Sequence, residues 1–83
     1  MRSDFSEDVA RLGRYVERYF QRKLKTEFPT VRQCANALKI GVSEVEQRVE
    51  DSGGAMMLTR YNTIKEPPLG EFYVETLNEG DFA

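Results

Sequence analysis

The side chains that most often do covalent chemistry are scarce in this sequence. It has no histidine and a single cysteine, Cys34. One cysteine supplies neither an internal disulfide nor a metal-ligand spacing. Cys34 also falls on the apolar face of a helical segment, where it reads as a small hydrophobe rather than a nucleophile. Carboxylates are plentiful, at 14 Asp and Glu, but no spacing draws two of them into one pocket. Gly53 and Gly54 form no phosphate-binding loop; they suit the end of a helix. These residues exclude the usual enzyme classes and imply no metal and no cofactor, which leaves charge as the chemistry to be read.

The net charge of −2 conceals a division along the chain. Residues 1–41 hold nine Lys/Arg and five Asp/Glu, net +4, whereas residues 42–83 hold three and nine, net −6. Such a split suggests an electrostatic face. Arg11, Arg14, Arg18, Arg22 and Lys25 recur every three or four residues and form one stripe of a helix. That stripe reads either as a solvated face or as a binding surface. No apolar run approaches the roughly 18 residues of a membrane span, and the first residues do not resemble a signal peptide. With a lone cysteine, the expectation is a cytoplasmic protein.

The 83 residues suit one small domain, with an ordered core near 6–77 and a flexible tail at 78–83. Asp4 or Ser6 is the candidate N-cap of a first helix, with Asp4 and Glu7 spaced as a capping box. Val9, Leu12, Val16, Phe20 and Leu24 then recur at helical spacing, which predicts a helix near 6–25. Gly13 in its middle costs about 1 kcal/mol against Ala and suggests a close helix contact. Pro29 closes this region, and Thr30 with Gln33 makes a capping box for a second helix near 30–39.

A third helix near 42–52 starts at Gly41, Val42 or Ser43 and stops at Gly53. Two registers compete for the turn before it. If Gly41 is the turn glycine, Ser43 and Glu46 cap the helix, but Gln47 and Glu50 fall on buried positions. If Lys39 holds the turn, then Cys34, Ala35, Leu38, Ile40, Val45 and Val49 are the ones buried. Burying an unpaired Gln or Glu costs several kcal/mol, against roughly one for a missing turn glycine. The Lys39 register is therefore expected. Beyond it, residues 55–61 and 71–77 alternate like strands around a Pro67, Pro68, Gly70 loop, a hairpin with a long tip.

Helix, helix, turn, helix and hairpin, with Thr30, Ala35, Leu38, Ile40, Val45 and Val49 at their positions, resemble the winged helix-turn-helix superfamily over nearly the whole chain. Lys39 departs from its usual turn glycine. The fold class expected is α+β, mainly α: a three-helix helix-turn-helix core with a C-terminal two-stranded hairpin wing. The resemblance implies DNA binding, helix three in the major groove and the wing on the backbone or minor groove, and with it a prokaryotic-type transcriptional regulator.

On helix three, Ser43, Glu44, Gln47 and Arg48 are expected to have free faces. Gln47 can read adenine, Arg48 guanine, and Glu44 can accept from cytosine N4. Arg48 can equally pair along the helix with its acidic neighbours. Phosphate contacts fall to Arg32, Lys39, Arg48, Arg60 and Lys65, with Thr30 and the amides at the start of helix two. This is a thin footprint for a monomer. Against it stand Glu44, Glu46, Glu50 and Asp51, an acidic helix for a polyanionic ligand. The rival reading is therefore a protein-interaction module, whose acidic helix three meets a basic partner. In it basic helix one could meet the acidic hairpin half of another subunit in a homodimer, with Tyr15, Tyr61, Tyr73 and Ile64 as anchors.

Overall fold

The computed structural model describes residues 4–60 and 65–82. Along them run α1 (Glu7–Arg22), α2 (Val31–Leu38), α3 (Val42–Asp51), β1 (Met56–Thr59), a 3-10 turn (Leu69–Glu71) and β2 (Tyr73–Thr76). The architecture is α+β and mainly α: three helices followed by an antiparallel hairpin. Tyr61 and Ile64, proposed as anchors, lie outside the described residues. Among those residues, no helix is long and apolar enough to cross a membrane.

Each helix begins where local chemistry satisfies its free amides. Ser6, rather than Asp4, caps α1 by accepting from the Val9 amide at 3.2 Å. Thr30 caps α2 in a complete capping box: Gln33 N donates to Thr30 Oγ1 at 3.1 Å, and Thr30 N donates to Gln33 Oε1 at 2.8 Å. The turn to α3 takes the Lys39 register. Lys39 stands in the left-handed region (φ 58, ψ 47), and its amide returns to the Ala35 carbonyl. Gly41 is the N-cap of α3. Val45 and Val49 are buried and Gln47 is exposed.

The core draws on every element. Val9, Leu12 and Val16 of α1 meet Val31, Cys34 and Ala35 of α2, Val45 and Val49 of α3, and Ala55, Met56 and Val74 of the hairpin. The hairpin pairs Met56 with Thr76 and Leu58 with Val74. Its β2 edge is occupied on the other side by the start of α2. Val31 N donates to Phe72 O at 2.7 Å and Val74 N to Pro29 O at 2.8 Å, with Thr30 and Tyr73 as an antiparallel bridge. These bonds cover a strand edge and fix α2 against the hairpin. Ser52 does the same for α3: its Oγ donates to Val49 O at 2.6 Å and accepts from Met56 N at 3.0 Å.

Two expectations need correction. Helix one ends at Arg22, and Leu24, counted in its apolar stripe, is 84 % exposed. Leu24 and Lys25 both take positive φ (55 and 61), so the chain reverses there and Leu24 swings outward. Half-buried Phe20 is the last covered residue of the stripe, stacked on Phe28 at 4.0 Å. Residues 78–82, expected to fray, instead fold back along α1. Glu79 pairs with Lys25 at 3.0 Å and accepts from Gln21, and Phe82 N donates to Glu17 Oε1 at 3.3 Å. The Phe82 ring is 1 % exposed, lies directly on Gly13 and stacks on Phe5 at 4.7 Å. The close contact that Gly13 signalled is thus with this ring rather than with a second helix.

Candidate nucleic-acid interface

Thr30, Arg32 and Arg60 come from the cap of α2, its first turn and the end of β1. Together with Pro67, Gly70, Glu71 and Tyr73 they line one open cleft of about 370 Å³. The Thr30–Tyr73 bridge sets the geometry, because it holds the start of α2 against β2. Gly70 shapes it further. A β-carbon there would come within 2.6 Å of Arg32 Nη2, so the guanidinium lies on the bare backbone of the 3-10 turn. Among the described residues Arg32, Arg60, Lys39 and Lys65 are exposed and have no ion-pair partner. Their charge is therefore available to an anion.

The amides at the start of α2 contribute less than expected. Thr30 N and Gln33 N serve the capping box, and Val31 N is held by Phe72 O. Arg32 N is the one among these four left for an anion.

Helix three also differs from expectation. Ser43, Glu44 and Gln47 are exposed, but Arg48 is 6 % exposed. Its side chain turns back under α1, where Nη1 donates to Asp8 O at 3.4 Å and Nη2 lies 3.8 Å from Asp8 Oδ1. Nε is 3.4 Å from Glu44 Oε1, close enough for attraction but not aligned as a hydrogen bond, and it has no other partner. Arg48 was expected to read guanine from a free face; it is instead part of the α1–α3 contact. The physical reason is its position one turn from Val45 on the edge of the buried face, where a long apolar stem is covered and the head reaches Asp8. Nothing in the sequence links residues forty apart, so Asp8 could not have been singled out.

With Arg48 withdrawn, the exposed side of α3 carries Glu44, Glu46, Glu50 and Asp51 and no cation. Gln47 Nε2 donates to Asp51 Oδ1 at 3.0 Å, so even the amide reader is partly engaged. Cys34 is fully buried and its thiol is pushed up to about 12 by burial. It is protonated at neutral pH and offers no nucleophile. Among the described residues no group of His, Cys, Asp and Glu is gathered so that it could hold a metal ion. Gly70 and Tyr73 were missed as members of the site. Gly70 was expected in the loop and Tyr73 as an anchor of the protein-interaction reading, and only the tertiary bridge between Thr30 and Tyr73 brings them to this cleft.

No protein-family model matches this chain, and neither a curated protein nor a solved structure does.

Proposed function

We propose that this chain is a small winged-helix DNA-binding module of the kind used in transcriptional regulation. It docks on the duplex backbone through the cleft between the start of α2 and the hairpin. One observation carries the reading: Thr30 and Arg32 line a single cleft with Arg60, distant in sequence, and its two guanidinium groups are exposed and unpaired. Lys39 at the turn and Lys65 on the loop extend this cationic set, and phosphate contacts by such groups supply most of the affinity for DNA. Helix three follows the turn directly and would face the groove with Ser43 and Gln47. Glu44 is the third candidate reader, although it lies beside Arg48. With no exposed cation on α3, base reading is sparse and the backbone term dominates. The acidic side chains oppose loose backbone contacts.

A second reading rests on its own observation. Four carboxylates on the exposed side of α3, without a cation among them, suit a protein partner with a basic surface. A gel shift with random duplex at low salt separates the two, comparing the wild type with the Glu46→Gln/Glu50→Gln pair. For the DNA-binding module the paired variant binds random duplex more tightly than wild type. If neither protein shifts the duplex, the DNA reading is wrong and the protein-partner reading remains.

A further inference from the structure

The basic stripe of α1 takes no part in the cleft described above. Arg11, Arg18 and Arg22 are exposed, and none has an ion-pair partner among the described residues. Arg14 beside them is half-buried and pairs with Glu7 at 2.8 Å. These four guanidinium groups line a cleft of about 350 Å³ floored by Tyr15 and by Leu38 from the end of α2. Like charges held in a row repel, and nothing in the core requires them. Burial raises the pKa of Tyr15, so its ring is a neutral floor and adds no charge.

We propose that this stripe docks the acidic face of α3 from a second copy of the chain. The complement is on the same molecule but cannot reach it. Arg48 holds the underside of α3 against Asp8 at the start of α1, so the exposed side of α3 faces away. Glu46 and Glu50 stand one turn apart on that side and, among the described residues, have no ion-pair partner. Arg18 and Arg22 are likewise one turn apart, so both pairs are separated by about 6 Å along their helices. Two helices laid side by side can match them two against two. Arginine suits this role because its planar fork meets a carboxylate through two hydrogen bonds.

A duplex or an RNA strand is the other polyanion such a stripe could meet. The proposed duplex contact uses the cleft between α2 and the hairpin, which shares no residue with this stripe. A second copy brings a matched basic and acidic face at once. The contact joins different surfaces on the two copies. About a two-fold axis each α1 meets the other copy's α3 and a dimer closes; otherwise one face of each kind stays free and further copies add head to tail.

Sedimentation of the whole chain without nucleic acid tests this. The wild type is expected to gain weight-average mass with concentration at low salt and to lose that gain at about 1 M salt, where screening is nearly complete. Arg18→Glu/Arg22→Glu should be monomeric alone, and so should Glu46→Lys/Glu50→Lys. An equimolar mixture of the two should associate again, because the unaltered α3 of the first meets the unaltered α1 of the second and the two reversed faces are complementary as well. All four side chains are exposed, and circular dichroism checks that each variant is folded. Should a charge-reversed protein fail to fold, Arg18→Gln/Arg22→Gln is the substitute, expected to weaken association without reversing it. A wild type that stays monomeric at low salt overturns the proposal. So does a mixture that fails to associate, or a charge-reversed variant that still associates alone. If the wild type is monomeric and a short duplex binds through Arg18 and Arg22, the stripe belongs to nucleic acid. Because no DNA is present in the sedimentation arm, its failure leaves the DNA-binding reading standing.

Discussion

Lys39 occupies the left-handed region at φ 58 and ψ 47, a conformation that costs an ordinary residue roughly 1–2 kcal/mol. The turn tolerates this because its amide still reaches Ala35 O and because the alternative register would bury Gln47 and Glu50. Lys39→Gly should therefore stabilise the fold by about 1 kcal/mol. For a chain of this size that raises the melting temperature by roughly 4–8 °C. An unchanged or lower melting temperature would contradict the strain assigned to this residue. Cys34 gives a second test at this scale. Its thiol titrates at about 12 in the fold, against a reference of 9.0. The unfolded chain therefore releases this proton first. The stability contributed by the neutral thiol is intact below pH 9 and is lost as pH rises from about 9 toward 12. Cys34→Ala should flatten that alkaline decline in urea melts, whatever its effect at pH 7.

At the scale of elements, Arg48 fastens α3 to α1. Its partners Asp8 and Glu44 are largely solvated, with side chains 67 % and 50 % exposed, so screening keeps the ion pairs weak. The buried stem contributes more. Arg48→Met should accordingly be near neutral for stability, and Arg48→Ala should cost about 1–3 kcal/mol. Neither should change which DNA sequence is preferred; an altered preference would return Arg48 to base reading. Phe82 similarly fastens residues 78–82 to α1. Alanine at position 13 gains about 1 kcal/mol of helix propensity over glycine, but its methyl would overlap the Phe82 ring. Gly13→Ala should thus destabilise by about 1–3 kcal/mol, as overpacking does. In a Phe82→Ala background the same substitution should turn stabilising, a reversal that urea melts of the four proteins would reveal.

These elements also show what the sequence made legible. The turn register was recoverable because burying Gln47 and Glu50 is so costly that the pattern admits one solution. The capping box of Thr30 and Gln33 is local and reads directly. By contrast, Leu24 continues the apolar periodicity of α1 but lies past its end, because periodicity does not record the reversal at Leu24 and Lys25. Phe82 is one aromatic residue in an otherwise polar segment, so no pattern distinguished it from a loose end. For the site, Arg32, Arg60 and Thr30 were chosen individually as phosphate contacts. Their convergence depends on hydrogen bonds between Pro29–Val31 and Phe72–Val74, which link positions about forty apart. Arg48 was misplaced for the same reason, since its partner on α1 is equally distant.

At the scale of the whole molecule, the proposed function has a cationic cleft at the α2–hairpin junction contact the backbone while an acidic α3 limits promiscuous binding. Arg32 and Arg60 line that cleft, and exposed Lys39 and Lys65 are the further candidate phosphate contacts. If all four meet phosphates, the logarithm of affinity should fall with the logarithm of salt by a slope no steeper than about −4, and by about twice that when two copies share a site. Fluorescence anisotropy of a labelled duplex, titrated at several salt concentrations, measures this directly for the wild type and for Arg32→Gln/Arg60→Gln. Measurable binding is expected at low salt, with a slope within that limit for a monomer and a slope shallower by about two units for the paired variant. Binding that is undetectable at low salt, or that keeps its strength and slope without Arg32 and Arg60, would contradict the proposed function.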